Sequence, residues 1–177
     1  MIDLASEDVF TTIQSDPAFA AIVDTASYAP TVPGWTYATL SEHVVRAMRG
    51  GHAVAWGAPE DSVRVRITTR RLAARALAHA DATAIAVLDV TGPLCLADYT
   101  SLTMAADDGE LPRDRDAVFA IRRGRYRVAI HRMFAHADGE QFAGSQPLAE
   151  HYVIVLASEA GPLAEVARIP WAVRPES

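Results

Sequence analysis

The chain has 177 residues, half of them apolar, and a formal net charge of −6 from 22 acidic and 16 basic residues. That composition is ordinary for one globular domain. Lysine and asparagine are absent, which excludes P-loop phosphate binding, Schiff-base and Ser-x-x-Lys chemistry, and N-glycosylation. The single cysteine, Cys95, excludes an internal disulfide and any multi-cysteine zinc site. Within Pro93-Leu94-Cys95-Leu96-Ala97 it reads as a small buried hydrophobe.

Residues 1–51 read as a helical N-terminal portion. Met1-Ile2-Asp3-Leu4 places no positive charge ahead of an apolar stretch, so no signal peptide is expected. No 18-residue apolar segment is present to span a membrane, and a cytoplasmic location is expected. Ser6 is placed to cap a helix running to Gln14, and Asp16-Pro17 to start a second one running to Ala26. Pro30, Pro33 and Gly34 impose an irregular connection that holds Trp35. From a cap at Thr39 or Ser41, Leu40, Val44, Val45 and Met48 keep helical spacing until Gly50-Gly51 stops it.

Residues 52–158 read as a mainly β core. His52 to Trp56 is a short apolar strand, and Val63-Arg64-Val65-Arg66-Ile67 alternates as a half-buried strand does. Thr69 to Ala80 is alanine-rich and predicts a helix. Ala84 to Val90 is a strand, Leu94 to Leu102 holds a further short one, and residues 107–112 form an acidic loop. Val118 to Ile121 and Tyr126 to Phe134 flank Gly124 and predict a β-hairpin. His151 to Leu156, a near-continuous apolar run, predicts a central strand. The tail, 159–177, offers Ile169, Trp171 and Val173 for docking.

These elements predict a single domain over 1–177 of the α+β class: an antiparallel β-sheet or β-sandwich with a helical N-terminal portion. Alternation places Tyr126, Val128, Ile130, Ile154 and Leu156 in its core. Charge is segregated along the chain, with seven arginines in 46–75, seven more in 113–132, and acidic stretches between. Pairing of arginine blocks with acidic ones is the expected outcome. A net-acidic chain is a poor nucleic-acid binder, because that affinity comes mainly from phosphate neutralisation.

Phe119-x-Ile121-x-x-Gly124-x-Tyr126-x-Val128-x-Ile130, followed by Tyr152-x-Ile154-x-Leu156, resembles the C-terminal strands of small bacterial β-sandwich proteins. Among these are nuclease inhibitors and related immunity proteins. The resemblance covers roughly residues 83–157. It implies a non-catalytic cytoplasmic protein that binds another protein.

Other chemistry is thinly represented. His131, His136, Asp138, Glu150 and His151 gather around one loop, but their spacing matches no zinc signature. No Gly-x-Ser-x-Gly marks a hydrolase nucleophile and no Gly-x-Gly-x-x-Gly marks a dinucleotide site. No catalytic residue, metal or cofactor is therefore expected. The function expected is a non-enzymatic protein-binding module of the inhibitor or immunity type, with a basic partner. Asp107, Asp108 and Glu110, whose potentials add, and Trp35, in its Pro-Gly loop, are the candidate contacts. The alternative is a small-molecule-binding protein or hydrolase using His131, His136 and His151.

Overall fold

A computed structural model of the protein describes residues 2–15, 18–59, 61–111, 117–134, 150–158 and 166–172. In chain order the elements are β1 (Ile2–Asp3), β2 (Val9–Ser15), β3 (Ala20–Asp24), α1 (Tyr37–Arg49), β4 (Ala53–Trp56), β5 (Asp61–Thr68), β6 (Ala82–Val90), β7 (Leu94–Asp98), α2 (Tyr99–Asp108), β8 (Val118–Ala120), β9 (Gly124–Arg132) and β10 (Tyr152–Ser158). They form two sheets, ordered β1-β8-β7-β3-β4 (sheet I) and β2-β5-β10-β9-β6 (sheet II). The fold class is α+β.

The period-two pattern explains the packing between the sheets. Val63, Val65 and Ile67 of β5, Tyr126, Val128 and Ile130 of β9, and Ile154 and Leu156 of β10 turn inward from sheet II. They meet Ile22, Val54, Trp56, Leu94 and Leu96 of sheet I in one apolar cluster. The five residues expected in the core all lie there. Sheet I is also covered on its other face, where Phe19, Val23 and Cys95 pack against Leu40, Val44 and Met48 of α1 and Leu102 of α2. Its strand β3 is buried at all five positions. Cys95 is buried, as its apolar run predicts.

The helical N-terminal portion expected over 1–51 is corrected by the structure. Residues 9–15 and 20–24 are strands, and α1 is the one α-helix among the described residues of this portion. Val9-Phe10-Thr11-Thr12-Ile13 is a β-branched and aromatic run that pairs antiparallel with β5 from Val9↔Ile67 to Ser15↔Asp61. Ala20-Ala21-Ile22-Val23, buried on both faces, offers no alternation to distinguish a strand from a buried helix.

The expected hairpin at Gly124 is a second correction. Strand β8 pairs with β7 and β1 in sheet I, whereas β9 pairs with β10 and β6 in sheet II. The chain crosses from one layer to the other at residues 121–124, and Gly124 supplies the positive φ of 150° at that corner. The sheets are mixed rather than antiparallel, because β1–β8 and β10–β5 run parallel. β10 is central in sheet II, as its apolar run predicts. The helix expected over 69–80 shrinks to one 3₁₀ turn at Ala74–Leu77. Residues 99–108, read as the end of a strand and the start of an acidic loop, form α2, which Asp98 caps by accepting the Ser101 N–H at 2.7 Å.

Candidate functional site

Helix α1 begins one turn earlier than the sequence suggests. Thr36 and Thr39 form a reciprocal capping box, each side chain bonding the other's backbone N–H. Leu40, Val44, Ala47 and Met48 face sheet I. Three- and four-residue spacing then sets Tyr37, Ser41, Val45 and Arg49 in one row along the flank, with Glu42 and Arg46 beside it.

Residues 166–172 run past that flank as a strap held at three points. Arg49 Nε donates to the Val166 carbonyl at 2.7 Å. The Gly57 N–H donates to the Pro170 carbonyl at 2.6 Å. The Arg132 guanidinium lies 5.1 Å from the Trp171 ring centre and is paired with Asp81 at 2.5 Å. Gly57 is required by close approach: a Cβ there would sit 2.0 Å from the Trp171 carbonyl oxygen. Trp171 itself has φ 59°, which a bulky side chain rarely adopts.

Between helix and strap lies a groove of about 590 Å³. Tyr37, Val45, Ile169 and Ala172 give it apolar wall, and among the described residues Arg46, Arg49 and Arg168 give it charge against the one carboxylate of Glu42. Among the described residues the guanidinium groups of Arg46 and Arg168 have no hydrogen-bond or ion-pair partner.

The arginines of sheet II are arranged differently. Arg66 donates through Nε and Nη2 to Asp8 Oδ2 at 3.0 and 2.7 Å, and the Thr68 hydroxyl donates to Asp8 Oδ1 at 2.7 Å. Burial of Asp8 raises its pKa, but the bonds from Thr68 and Arg66 and the charges of Arg66 and Arg70 outweigh it and hold the carboxyl below its ordinary value. Arg125 grips Asp89 with two bonds at 2.6 and 2.8 Å, and these bonds lower the Asp89 pKa. The segregated charge blocks thus meet across the fold: Asp8, Asp81 and Asp89 come from acidic stretches, and Arg66, Arg125 and Arg132 from basic ones.

The structure brings the expected acidic contacts together at one corner. Asp107 and Asp108 end α2, Gly109 follows in the left-handed conformation at φ 80°, and the Glu110 N–H donates to Asp108 Oδ1 at 2.8 Å. All three acids are exposed at the negative end of the helix dipole. Trp35 belongs to the other end of α2, roughly 14 Å away at 1.5 Å per residue. It is half-buried and stands edge-on to Tyr99, 6.5 Å between ring centres, as part of the packing over sheet I.

The histidines are committed locally. His131 Nδ1 lies 2.9 Å from the Thr83 hydroxyl, and burial together with Arg127 pulls its pKa below the ordinary imidazole value. His151 is buried, and its Nδ1 accepts the Arg64 N–H at 2.9 Å. Glu150 lies 3.8 Å from Arg66. His136 and Asp138 lie outside the described residues. No group of three histidine, cysteine or acidic side chains in metal-holding geometry occurs among the described residues. None of the described helices is long and apolar enough to cross a membrane.

Sequence reasoning missed the groove. Arg46 and Arg49 stand in the same block as Arg66, Arg168 stands apart in the tail, and the strap's route past α1 is set by contacts more than a hundred residues apart in the chain. The proline and tryptophan of Ile169-Pro170-Trp171 were the available signal.

No protein-family model matches the chain, and no curated protein matches it. Among solved structures, one described as "Crocagin biosynthetic gene J" is similar over 87% of this chain and 98% of that chain, with a TM-score of 0.55 and 18% sequence identity. A likeness at that identity concerns the fold: the same two-sheet α+β arrangement runs through nearly the whole of both chains.

Proposed function

We propose that this protein is a non-enzymatic cytoplasmic protein-binding module that docks a segment of a second, acid-bearing protein in the groove between α1 and the strap. The observation that carries this reading is the groove's composition. Its volume, about 590 Å³, lies in the range of ligand-binding clefts. Its described lining mixes aromatic, aliphatic and arginine side chains, the types enriched in protein interfaces. It includes no histidine, cysteine or aspartate. Ser41, its one alcohol of the nucleophilic kind, thus has no histidine base beside it in that lining, as acyl transfer would need. An inhibitor of the immunity type fits such a site, since it masks a partner without turning it over. The acidic corner at Asp107, Asp108 and Glu110 adds attraction for basic surface elsewhere on that partner.

The test is a photo-crosslinking residue placed at Val45 or Ala172 in cells that make the protein naturally. The expected result is a covalent adduct with one protein, lost when the crosslinker is moved to exposed Ile85 on β6. Recovery of a small molecule in the groove, with no protein adduct at either position, would overturn this reading in favour of a small-molecule-binding protein.

A further inference from the structure

We infer that Arg46, Arg49 and Arg168 make the groove a reader of carboxylates, so that the docked segment is an acidic peptide carrying an aliphatic side chain between its acids. This rests on the groove being the docking surface.

The argument begins with charge placement. The whole chain is acidic, at −6, yet the described lining of this one groove holds three arginines against Glu42 alone. Arg46 projects from the third turn of α1, Arg49 from its last residue, and Arg168 from the strap. Two covalently distant segments therefore bring their positive charge to one concave surface. On sheet II, Arg66, Arg132 and Arg125 are paired with Asp8, Asp81 and Asp89, whereas Arg64 and Arg127 stand exposed on its open face. Arg46 and Arg168 have no such partner among the described residues. Arg49 spends its Nε on the Val166 carbonyl, which ties it to the strap.

The same fork geometry that grips Asp8 and Asp89 suits a peptide carboxylate. Carboxylate is favoured over nucleic-acid phosphate by what surrounds the arginines. The remaining wall, Tyr37, Val45, Ile169 and Ala172, presents aliphatic and aromatic surface that accommodates a side chain between two acids. Tyr37 makes tilted ring contacts with Phe19 and Tyr99, 6.4 and 6.1 Å between ring centres, that hold that part of the wall.

The experiment uses the full chain and a fluorescein-labelled peptide, Gly-Ser-Glu-Leu-Glu-Asp-Leu-Glu-Gly-Ser, followed by fluorescence anisotropy. Saturable binding is expected, weakening as salt rises from about 50 to 300 mM, as the shortening screening length requires. The peptide with every acid changed to its amide should bind at least tenfold more weakly. Arg46→Gln and Arg168→Gln should each weaken the acidic peptide about tenfold, the loss of one charge-assisted contact. Thermal unfolding of both variants should match the parent, which separates lost recognition from lost structure. Equal binding of acid and amide peptides, full binding by Arg46→Gln, or tighter binding of a single-stranded oligonucleotide of equal charge would overturn the inference. If the crosslinked adduct forms at Val45 while the acidic peptide does not bind, the groove is a docking site of another chemistry. If neither occurs, the docking surface lies elsewhere.

Discussion

Arginine serves two different ends in this protein. On sheet II, Arg66 and Arg125 reach across strands to Asp8 and Asp89, and the contacts are short, bidentate and half-buried. In the groove, the Arg46 and Arg168 side chains have no such partner among the described residues. The first population ties strands that are distant in sequence, residue 8 to residue 66 and residue 89 to residue 125. The second makes no such tie among the described residues. Charge that is neutralised internally is structural, and charge left unneutralised on a concave surface is available to a ligand. Net charge, which sums the two, hides the distinction.

The largest effect tests the wall that makes the groove a groove. Gly57→Ala forces a Cβ into the Trp171 carbonyl at 2.0 Å, a backbone obstacle that cannot swing aside. It also displaces the Gly57–Pro170 hydrogen bond. A loss of about 2–4 kcal/mol is expected by chemical denaturation, the sum of overpacking and a lost buried bond. Quenching of fluorescence from Trp171, measured in a variant retaining that tryptophan alone, should increase as the strap lifts. A parental stability would show that the strap does not bear on Gly57.

Removing the structural partner on sheet II should cost less. Asp8→Asn leaves Arg66 without its carboxylate and weakens the Thr68 contact, and about 2 kcal/mol is expected for a lost charge-assisted pair. Asp8's pKa is depressed on folding, so its contribution is present above the unfolded carboxyl value of 3.8 and is lost as pH falls through the lower folded value. The difference in stability between parent and Asp8→Asn should therefore shrink as pH falls below about 4. A difference that stays constant down to pH 2 would mean that the carboxylate's charge is not what holds Arg66.

The smallest effect is the sharpest contrast. Arg46→Gln and Arg168→Gln should change stability by less than about 0.5 kcal/mol, the usual range for exposed substitutions. The same chemical change at Arg66 should be felt in the fold. If Arg46→Gln destabilised the protein as much as Arg66→Gln, the division between structural and recognition arginines would fail.

Much of sheet II was readable in advance. The alternation of Val63 to Ile67 and of Tyr126 to Ile130 named the inward face of two strands, because a strand buried on one side must alternate, and the near-continuous apolar run from His151 to Leu156 marked the central strand between them. Sheet I was far less legible. Its strands are buried on both faces, so Ala20 to Val23 and Ala53 to Trp56 lose the periodicity that would identify them. The second reads as a strand from its short apolar run, and the first reads as a helix. Of the proposed site, α1 and its outward arginines could be read from helical spacing, but the opposite wall could not.

The sequence by itself determined the inventory and the local rules. It dictated that no lysine chemistry occurs, that Cys95 is buried, which face of β5 and of β9 turns inward, and that a helix precedes Gly50-Gly51. These follow from composition, side-chain period and capping, all of which act within a few residues. Only the tertiary structure decided that β8 and β9 leave Gly124 for different sheets, that β10 lies parallel to β5, and that 166–172 is pinned against Gly57 and Arg49. Each of those choices is made by pairing between segments distant in sequence, where the gain comes from shared burial and backbone hydrogen bonds that no local window contains. The same pairing sorted one arginine composition into bonded struts on sheet II and an open charged groove beside α1.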